Sequence, residues 1–408
     1  MTLSITIGTH YIHAAISDGS TMAQIPSSGS QENSFPCCVY LDKSGELLFG
    51  EEAESKRHCD PTRYRRELKR YIGKETPIML GDRTLMTEEL FVALFQYLKS
   101  EAEKAIAQEV DTIIIALCAT DGKYRQSVIE KVAKNAGFST VTMILEAVAS
   151  AHYYEYENKD NFSEGDIILV YNLGGSTFSA TLVQKKGQTF KLLAPPIVNR
   201  NLGGANFDRL IYQDFINKHG KDLGDILESQ DREAYKTRLE IANQCRDIKH
   251  YLSQKIKYQG AIKDYADYIL SRQEFEDMIS SKIHETYELC QQLIQDTFLD
   301  YDELNQVLMI GGSSYIPYLE ENLERELSAN IKKINRPNLA GCLGAKIYFE
   351  AQNTKFQSSK NSKNTGYKDP PKEEPKKTQS SDSSDPFKWF SKKNMYSKAK
   401  NNPTQDWF

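Results

Sequence analysis

The sequence lacks long hydrophobic segments, paired cysteine motifs and any excess of positive charge. No apolar run approaches the roughly 20 residues that a membrane-spanning helix needs, and residues 1–6 do not have the basic and apolar regions of a secretory signal. The seven cysteines include no C-x-x-C pair, so we expect reduced thiols in a cytoplasmic protein. The formal net charge of −5 argues against a surface built to bind nucleic acid.

The composition is that of a folded protein over most of its length. With 408 residues, of which 39% are hydrophobic and 26% charged, the chain can form two domains with full hydrophobic cores. From about Thr354 the composition changes to lysine, serine, asparagine and proline, with twelve lysines against six acidic residues. Such a segment cannot bury enough apolar surface to fold alone, so we expect 354–408 to be a disordered tail.

Both tryptophans of the chain lie in this tail. Trp389 follows Phe387 closely, and Trp407 precedes the final Phe408. Exposed aromatic side chains in a disordered segment are typical of short motifs that bind a protein partner. The alternative is a tail without a function.

A glycine-rich turn between two apolar segments is the most informative stretch of the sequence. Ile167–Tyr171 and Phe178–Val183 are predicted strands, and the residues Asn172–Thr177 between them predict a hairpin. Glycines at the tip let backbone N–H groups approach an anion, and the hydroxyls of Ser176 and Thr177 add donors. The sequence therefore predicts a phosphate-binding turn, with a tight hairpin that binds nothing as the alternative.

The beginning of the chain repeats this pattern. Ile5–Ser17 again predicts a strand, a Gly-Thr turn and a second strand. A chain that opens each half with the same hairpin indicates a duplicated architecture, with a ligand between the halves.

Strands and helices alternate between the two hairpins. Thr112–Cys118 and Val141–Leu145 are predicted buried strands with a helix between them, which favours a mainly parallel α/β sheet. Glu146 follows the second strand directly and is either a helix cap or a functional carboxylate. Further upstream, the strongly charged stretch Glu51–Tyr71 predicts a helical region.

The second half follows a similar plan. Gly203 and Gly204 precede an amphipathic helix, where they suit a phosphate and close packing equally well. We expect this helix to end at His219-Gly220. A second glycine-rich loop, Gly311–Pro317, follows a short strand, and the small-residue helix Ala340–Gln352 closes the folded part.

Several segments, in this order, resemble the ATPase domain of the 70-kDa heat-shock protein (DnaK-like) chaperone family, which has the actin/hexokinase fold. They match its two phosphate loops, its catalytic-lysine segment, the connection between its halves, the Gly-Gly segment before a helix and its adenosine loop. The segments are Ile5–Thr9, Lys69–Gly73, Ile144–Ala151, Asn172–Ser179, Leu202–Asp208 and Gly311–Pro317. Together they cover roughly residues 1 to 353.

The resemblance implies two lobes with a duplicated α/β core and ATP or ADP in the cleft between them. Residues 1–165 would form lobe I and residues 166–353 lobe II, with the helix 340–352 packing back toward lobe I. The positions that match family catalytic residues are Lys69, Glu146 and Thr177. The positions that match its nucleotide contacts are Gly8, Thr9, Gly174, Gly175, Ser176, Thr177, Gly203, Gly204, Lys249, His250, Ser253, Gly311, Gly312, Ser313 and Tyr315.

The sequence departs from the family at the positions that organise magnesium. The family has an Asp in each phosphate loop and a third after the second loop, and these positions match Thr6, Asn172 and Ser179. Magnesium is held through charged oxygens, and its charge is a large part of what phosphoryl transfer requires. We therefore expect no metal ligand at these positions and nucleotide binding that depends little on magnesium.

The positions that the resemblance places beside the adenine are also altered. Two family arginines that flank the base match His250 and Tyr315, and a family Glu matches Arg246. Lys249 and Ser253 match retained contacts. Because imidazole and phenol rings are flat and can stack on a base, we expect nucleotide binding to persist.

The rest of the family's chaperone architecture has no counterpart in the sequence. No hydrophobic Asp-Leu-Leu-Leu linker follows Gln352, and no β-sandwich for peptide is recognisable. The favoured hypothesis is a weak or inactive ATPase that acts as a chaperone-related regulator or adaptor, with other chaperones among its candidate partners. The alternatives are an active ATPase with other metal ligands, and a sugar- or acetate-kinase relative with Glu146 as its base.

A more specific hypothesis concerns one tail motif. Asp385-Pro386-Phe387 resembles the Asp-Pro-Phe peptides that bind coat-adaptor appendage domains in endocytosis. The resemblance implies a coat adaptor as the partner of the tail.

Overall fold

The computed structural model describes residues 1–17, 22–24, 34–119, 121–159, 162–229, 231–263, 265–327 and 331–362. The motif residues Phe387, Trp389, Trp407 and Phe408 lie outside the described residues, as does most of the predicted tail.

The described residues form nine α-helices and nineteen strands. The helices are α1 (Gly50–Ser55), α2 (Thr87–Ile106), α3 (Lys123–Asn135), α4 (Glu146–Glu157), α5 (Gly204–Glu228), α6 (Arg232–Gln254), α7 (Arg272–Asp296), α8 (Pro317–Leu327) and α9 (Ala340–Ser362). The strands are β1 (Thr2–Ile7), β2 (Tyr11–Ser17), β3 (Met22–Gln24), β4 (Ser34–Pro36), β5 (Cys38–Leu41), β6 (Leu47–Phe49), β7 (Tyr64–Arg66), β8 (Ile78–Leu80), β9 (Arg83–Leu85), β10 (Thr112–Leu117), β11 (Thr140–Leu145), β12 (Ile167–Leu173), β13 (Phe178–Lys186), β14 (Thr189–Leu192), β15 (Ile197–Asn199), β16 (Lys257–Ile262), β17 (Ala266–Ser271), β18 (Leu304–Ile310) and β19 (Ile331–Lys333).

Two six-stranded sheets repeat the same arrangement. In the first sheet β2 is antiparallel to β1, and β1, β10 and β11 run parallel. In the second sheet β13 is antiparallel to β12, and β12, β18 and β19 run parallel. Each sheet is therefore a hairpin extended on one side by two parallel strands, and two short strands pair with the second strand of each hairpin. The two hairpins and the parallel pairing that the sequence predicts are confirmed.

The described residues form two main hydrophobic cores, and one face of the second sheet contributes Ile168, Val170 and Leu308 to the first of them. The first core packs the first sheet against α2, α4 and α9, and the second packs the second sheet against α5 to α8. The central strands are buried along their length, as is typical of parallel strands covered on both faces. The chain passes between the sheets from α4 to β12. The lobe boundary at residues 165 and 166 falls in this connection and stays a prediction.

The last helix packs on the first sheet, although it follows the second sheet in the chain. Helix α9 lies against α4, β1 and β10. The hydroxyl of Ser4 on β1 donates a 2.6 Å hydrogen bond to the carbonyl oxygen of Cys342. The backbones of α9 and α4 come together at Gly344 and Ala149, where there is no room for a side chain on the glycine.

The prediction of a helical region over Glu51–Tyr71 is wrong for most of its length. Helix α1 ends at Ser55, and the chain then forms a 3-10 turn at Pro61–Arg63, strand β7 and a second 3-10 turn at Leu68–Tyr71. The carboxylate of Asp60 accepts the N–H of Thr62 and starts the first turn. The charges in this stretch form pairs both with each other and with distant elements, so their density does not indicate a solvated helix.

The predicted end of a helix at His219-Gly220 is also wrong. Helix α5 continues through Gly220 to Glu228. A glycine inside a helix costs about 1 kcal/mol, and burial of Leu223 in the second core, at 2% exposure, offsets that cost.

Gly344→Ala should destabilise the protein by about 3 kcal/mol, because its methyl group would overlap the carbonyl oxygen of Ala149 and force α9 away from α4. Urea unfolding of the purified variant measures this loss. Gly224→Ala is the matched control: it lies in α5 with open space around it, and alanine should be neutral or stabilise the helix by up to about 1 kcal/mol. Equal effects from both variants would contradict the close contact.

Candidate functional site

A cleft of about 530 Å³ lies between the two sheets. Its walls come from the carboxyl ends of parallel strands in both sheets and from the hairpin turns that follow β1 and β12. Ligands of α/β proteins bind at this edge of a sheet, because the loops there converge on one space.

Most of the residues singled out in the sequence meet in this cleft. The lining residues among them are Thr6, Gly8, Thr9, Lys69, Glu146, Asn172, Gly174, Gly175, Thr177, Ser179, Lys249, His250, Ser253, Gly311, Gly312, Ser313 and Tyr315. Ser176, Gly203 and Gly204 lie directly behind this surface and contact it. Their individual roles toward a nucleotide stay predictions.

The two hairpin turns are closed in the same way and touch each other. The N–H of Gly8 donates to the carbonyl of Tyr11, and the N–H of Gly174 donates to the carbonyl of Thr177, both at 2.9 Å. The hydroxyls of Thr9 and Ser176 then join the two turns through a 2.7 Å hydrogen bond. The duplicated turns therefore form one continuous cradle across the floor of the cleft.

Gly203 and Gly204 serve close packing. A Cβ atom on Gly203 would lie 2.7 Å from the backbone nitrogen of Ser176. The N–H groups of Gly204 and Ala205 donate to the carbonyls of Gly174 and Gly175 at 3.0 and 2.6 Å. The start of α5 is thus bonded to the back of the second turn and holds that turn in place.

The neutral residues at the two magnesium positions have different environments. The amide of Asn172 donates a 2.9 Å hydrogen bond to Glu146, at the start of α4. The hydroxyl of Thr6 is buried and has no hydrogen-bond partner among the described residues. Burial raises the pKa of Glu146, although Lys69 and the hydrogen bond from Asn172 act in the opposite direction.

Lys69 is paired with a buried carboxylate that the sequence analysis missed. Its ammonium lies 3.6 Å from Asp121, which is 2% exposed and also faces Arg125 at 3.4 Å. Burial opposes the charge on Lys69, but Asp121 and, more weakly, Glu146 outweigh it and raise the pKa of the lysine. The signal for Asp121 was its place after a buried strand, but the Asp-Gly pair there resembled an ordinary loop.

Two basic side chains of helix α6, Arg246 and Lys249, line the cleft. Lys249 pairs with Asp208 at 2.7 Å and donates to the carbonyl of Gly204 at 3.1 Å. Arg246 lies 3.5 Å from Glu54 on α1. These contacts place basic side chains along the cleft. They connect α6 to α5 and to α1.

The rings expected beside a base lie at the outer part of the cleft. Tyr315 is 45% exposed, and its hydroxyl donates to Asn338 at 2.9 Å. His250 is also exposed on α6. Both side chains line the cleft and are exposed, and a base can stack on flat rings of this kind.

The residues of the cleft do not fit a magnesium site of the usual kind. Over the described ranges, no group of three or more His, Cys, Asp or Glu residues could hold a metal ion. Glu146, which lines the cleft, already accepts a hydrogen bond from Asn172. A cation would therefore meet amide and hydroxyl groups in place of the charged oxygens that magnesium prefers.

A family model described as Hsp70 protein matches residues 77–357, well over half of the chain. The chain belongs to the Hsp70 family. It therefore carries an Hsp70-type nucleotide-binding domain with the actin/hexokinase-like ATPase fold. Members of this family generally bind ATP or ADP with magnesium and interact with other proteins. Among the helices that the structure describes, none is both long and apolar enough to cross a membrane.

The matched residues do not include the first hairpin or Lys69. Pairing of β1 with β10 and the contact between Thr9 and Ser176 connect the first hairpin to the matched part. Lys69 is connected through Asp121. The described residues before Pro77 therefore contribute to the cleft of this Hsp70-family domain.

Glu146→Gln should raise the melting temperature by a few degrees near pH 7 and leave it unchanged near pH 4. Because burial raises the pKa of this carboxyl, the folded protein binds its proton more tightly than the unfolded chain does. Ionisation therefore costs stability as the pH rises above the ordinary glutamate value of about 4.3. The amide stays neutral, and its oxygen can still accept from Asn172.

Melting curves of both proteins between pH 4 and pH 8 measure this difference. The control, Glu324→Gln, removes an exposed carboxylate from α8 and should leave the melting temperature unchanged at both ends of the range. A Glu146→Gln effect that does not vary with pH would contradict the buried, proton-binding carboxyl.

Proposed function

We propose that the chain binds ATP or ADP in the cleft with little dependence on magnesium and hydrolyses ATP weakly or not at all. In this proposal it acts as a nucleotide-sensing regulator or adaptor related to the chaperones. The observation that carries it is the hydrogen bond from Asn172 to Glu146, which lies beside an intact cradle of hairpin turns.

The cradle supports phosphate binding. The turns at Gly8 and Gly174–Gly175 expose backbone along the cleft, and Thr9 and Thr177 supply hydroxyls. Backbone amides and hydroxyls bind phosphate oxygens without a metal. Lys69 and Lys249 line the same cleft, where their ammonium groups can also contact a phosphate although each is paired with a carboxylate.

The chemistry of the site argues against efficient hydrolysis. Phosphoryl transfer depends on neutralising the charge that develops on the phosphate oxygens, and a magnesium ion usually supplies much of this. Thr6 and Asn172 carry no charge to attract that ion, and Lys69 is held by Asp121. Binding and hydrolysis are thus expected to be separated in this protein.

In the proposed regulator role, the surface and the tail of the protein contact a partner. A protein that binds a nucleotide without hydrolysing it has two states, bound and free. If a partner binds these two states differently, the protein can report the nucleotide level to it. The aromatic motifs around Phe387, Trp389 and Trp407–Phe408 are the candidate contacts, and their sequence is the support for this part of the proposal.

ADP and ATP should bind the full chain with dissociation constants in the micromolar range, and magnesium should change them by less than about threefold. Isothermal titration calorimetry with magnesium or with EDTA measures this. Gly203→Ala should weaken binding at least about tenfold, because its methyl group displaces the Ser176 backbone. Gly122→Ala, which has open space around it, is the control and should bind as the wild type does.

Two outcomes would contradict the proposal in different ways. Absence of binding would leave the fold as a scaffold. Strong magnesium-dependent binding, together with ATP hydrolysis that is lost in Lys69→Ala, would identify an active ATPase whose metal is held by other groups.

Asn172→Asp should make the cleft sensitive to magnesium. The new carboxylate would lie beside Glu146 at hydrogen-bond distance, and two such groups cannot both ionise cheaply without a cation. We expect the variant to melt at a lower temperature than the wild type in EDTA, and its melting temperature to recover when magnesium and ATP are added. Magnesium should not change the melting temperature of the wild type. Thermal denaturation followed by fluorescence measures both.

The exposed Asn201→Asp, which adds the same charge outside the cleft, should show no magnesium effect. If replacing EDTA by magnesium, with ATP present in both samples, stabilised the wild type as strongly as Asn172→Asp, a metal site would already exist in the cleft, and the proposed magnesium independence would be wrong.

A further inference from the structure

His10 lies where the two hairpin turns meet. It follows Thr9 in the first turn and lines the cleft. Its ring nitrogen Nδ1 lies so close to Gly175 in the second turn that a side chain there would overlap the ring. The imidazole therefore occupies the cradle itself, next to the backbone that would surround a phosphate.

The other ring nitrogen faces a fixed carboxylate. Nε2 of His10 lies 3.2 Å from Oε1 of Glu67, and the two side chains are only 10% and 8% exposed. Glu67 is held by Arg70 at 2.7 Å on its other oxygen. Its backbone has a φ of 59°, a left-handed conformation that residues other than glycine rarely adopt. The surrounding structure thus aims this carboxylate at His10.

Glu67 keeps its negative charge and orients the ring. Burial opposes the ionised form, but the hydrogen bond from His10 and the nearby arginines outweigh it and lower the pKa of Glu67 to about 2. An ionised carboxylate accepts the Nε2 proton, which leaves Nδ1 facing Gly175. If Nδ1 is protonated, it donates into the cradle.

Opposing interactions act on the protonation of His10. Burial lowers its pKa, the contact with Glu67 raises it, and Arg66 and Lys249 lower it further. The titratable and charged groups that face this ring, or the small cavity behind it, are Glu67, Arg66, Lys249, Arg246, His250, Glu54, Tyr11, Tyr64, Cys37 and Cys38. A phosphate beside Nδ1 would add an opposite charge and favour the protonated ring.

We propose that His10, oriented by Glu67, donates to a phosphate oxygen of the bound nucleotide and takes up one proton from solvent as the nucleotide binds. The protonated ring would then provide part of the positive charge that magnesium provides in other members of the family. This inference rests on the proposed binding of ATP or ADP in the cleft, and it adds the group that neutralises the phosphates.

Calorimetry of the full chain with ADP in EDTA tests the coupling directly. The heat of binding is compared in two buffers of different ionisation enthalpy between pH 6.5 and pH 8. We expect uptake that approaches one proton per ADP and an affinity that falls up to about tenfold per pH unit. Adenosine, which has no phosphate, should bind without proton uptake.

His10→Gln separates this role from a structural one. Its side chain keeps a hydrogen-bonding group but cannot be protonated, so proton uptake and the pH dependence of affinity should disappear, and the variant should approach the wild type near pH 8. Glu67→Gln should reduce the uptake, because the ring loses its charged partner. The control, His13→Gln, changes a half-buried imidazole of the same hairpin, which bonds to Ser34 at 2.8 Å, and should keep the wild-type uptake.

The outcomes distinguish the two proposals. ADP binding without proton uptake, or an unchanged uptake in His10→Gln, would overturn the role of His10 and leave the nucleotide site intact. No binding of ADP by the wild type at any pH would overturn the proposed function and this inference together.

Discussion

The close approach of two backbone turns is the constraint on which this cleft depends. Thr9 and Ser176 share a hydrogen bond of 2.7 Å, the usual length between two hydroxyls, which places the two hairpin turns in contact. That approach requires glycine at position 175, against the ring of His10, and at position 203, against the backbone of the second turn. A side chain at either point would push the turns apart and open the cradle.

The lysines of the cleft are each paired with a carboxylate. Lys69 pairs with Asp121, and Lys249 pairs with Asp208, so neither cation is buried alone. A buried ion without a partner costs several kcal/mol, and pairing offsets that cost. Glu146 differs, because its nearest hydrogen-bond partner is a neutral amide and its pKa is raised. The site therefore has balanced cations and one carboxyl that is easily protonated.

Helix α6 shows how tertiary structure changes the meaning of a sequence pattern. A helix rich in arginine and lysine is usually solvated on its charged face. Here Arg246 reaches Glu54, and Arg66 donates a 2.9 Å hydrogen bond to Asn243 on the same helix. These contacts join α6 to α1 and β7 and connect the two halves of the domain beside the cleft. The charged stretch after Phe49 is irregular for the same reason, since its side chains have partners far away in the chain.

The sequence by itself determined the local features of this protein. These features are both hairpins, their glycine turns and the absence of aspartate at Thr6 and Asn172. They follow from residues that are neighbours in the chain, where periodicity and turn chemistry act directly. The tertiary structure decided which distant groups meet. Asp121 reaches Lys69, Glu67 reaches His10, and the last helix returns to the first sheet. Such pairs depend on strand register and helix packing over tens to hundreds of residues, which no local pattern specifies, and they set the charge of the site.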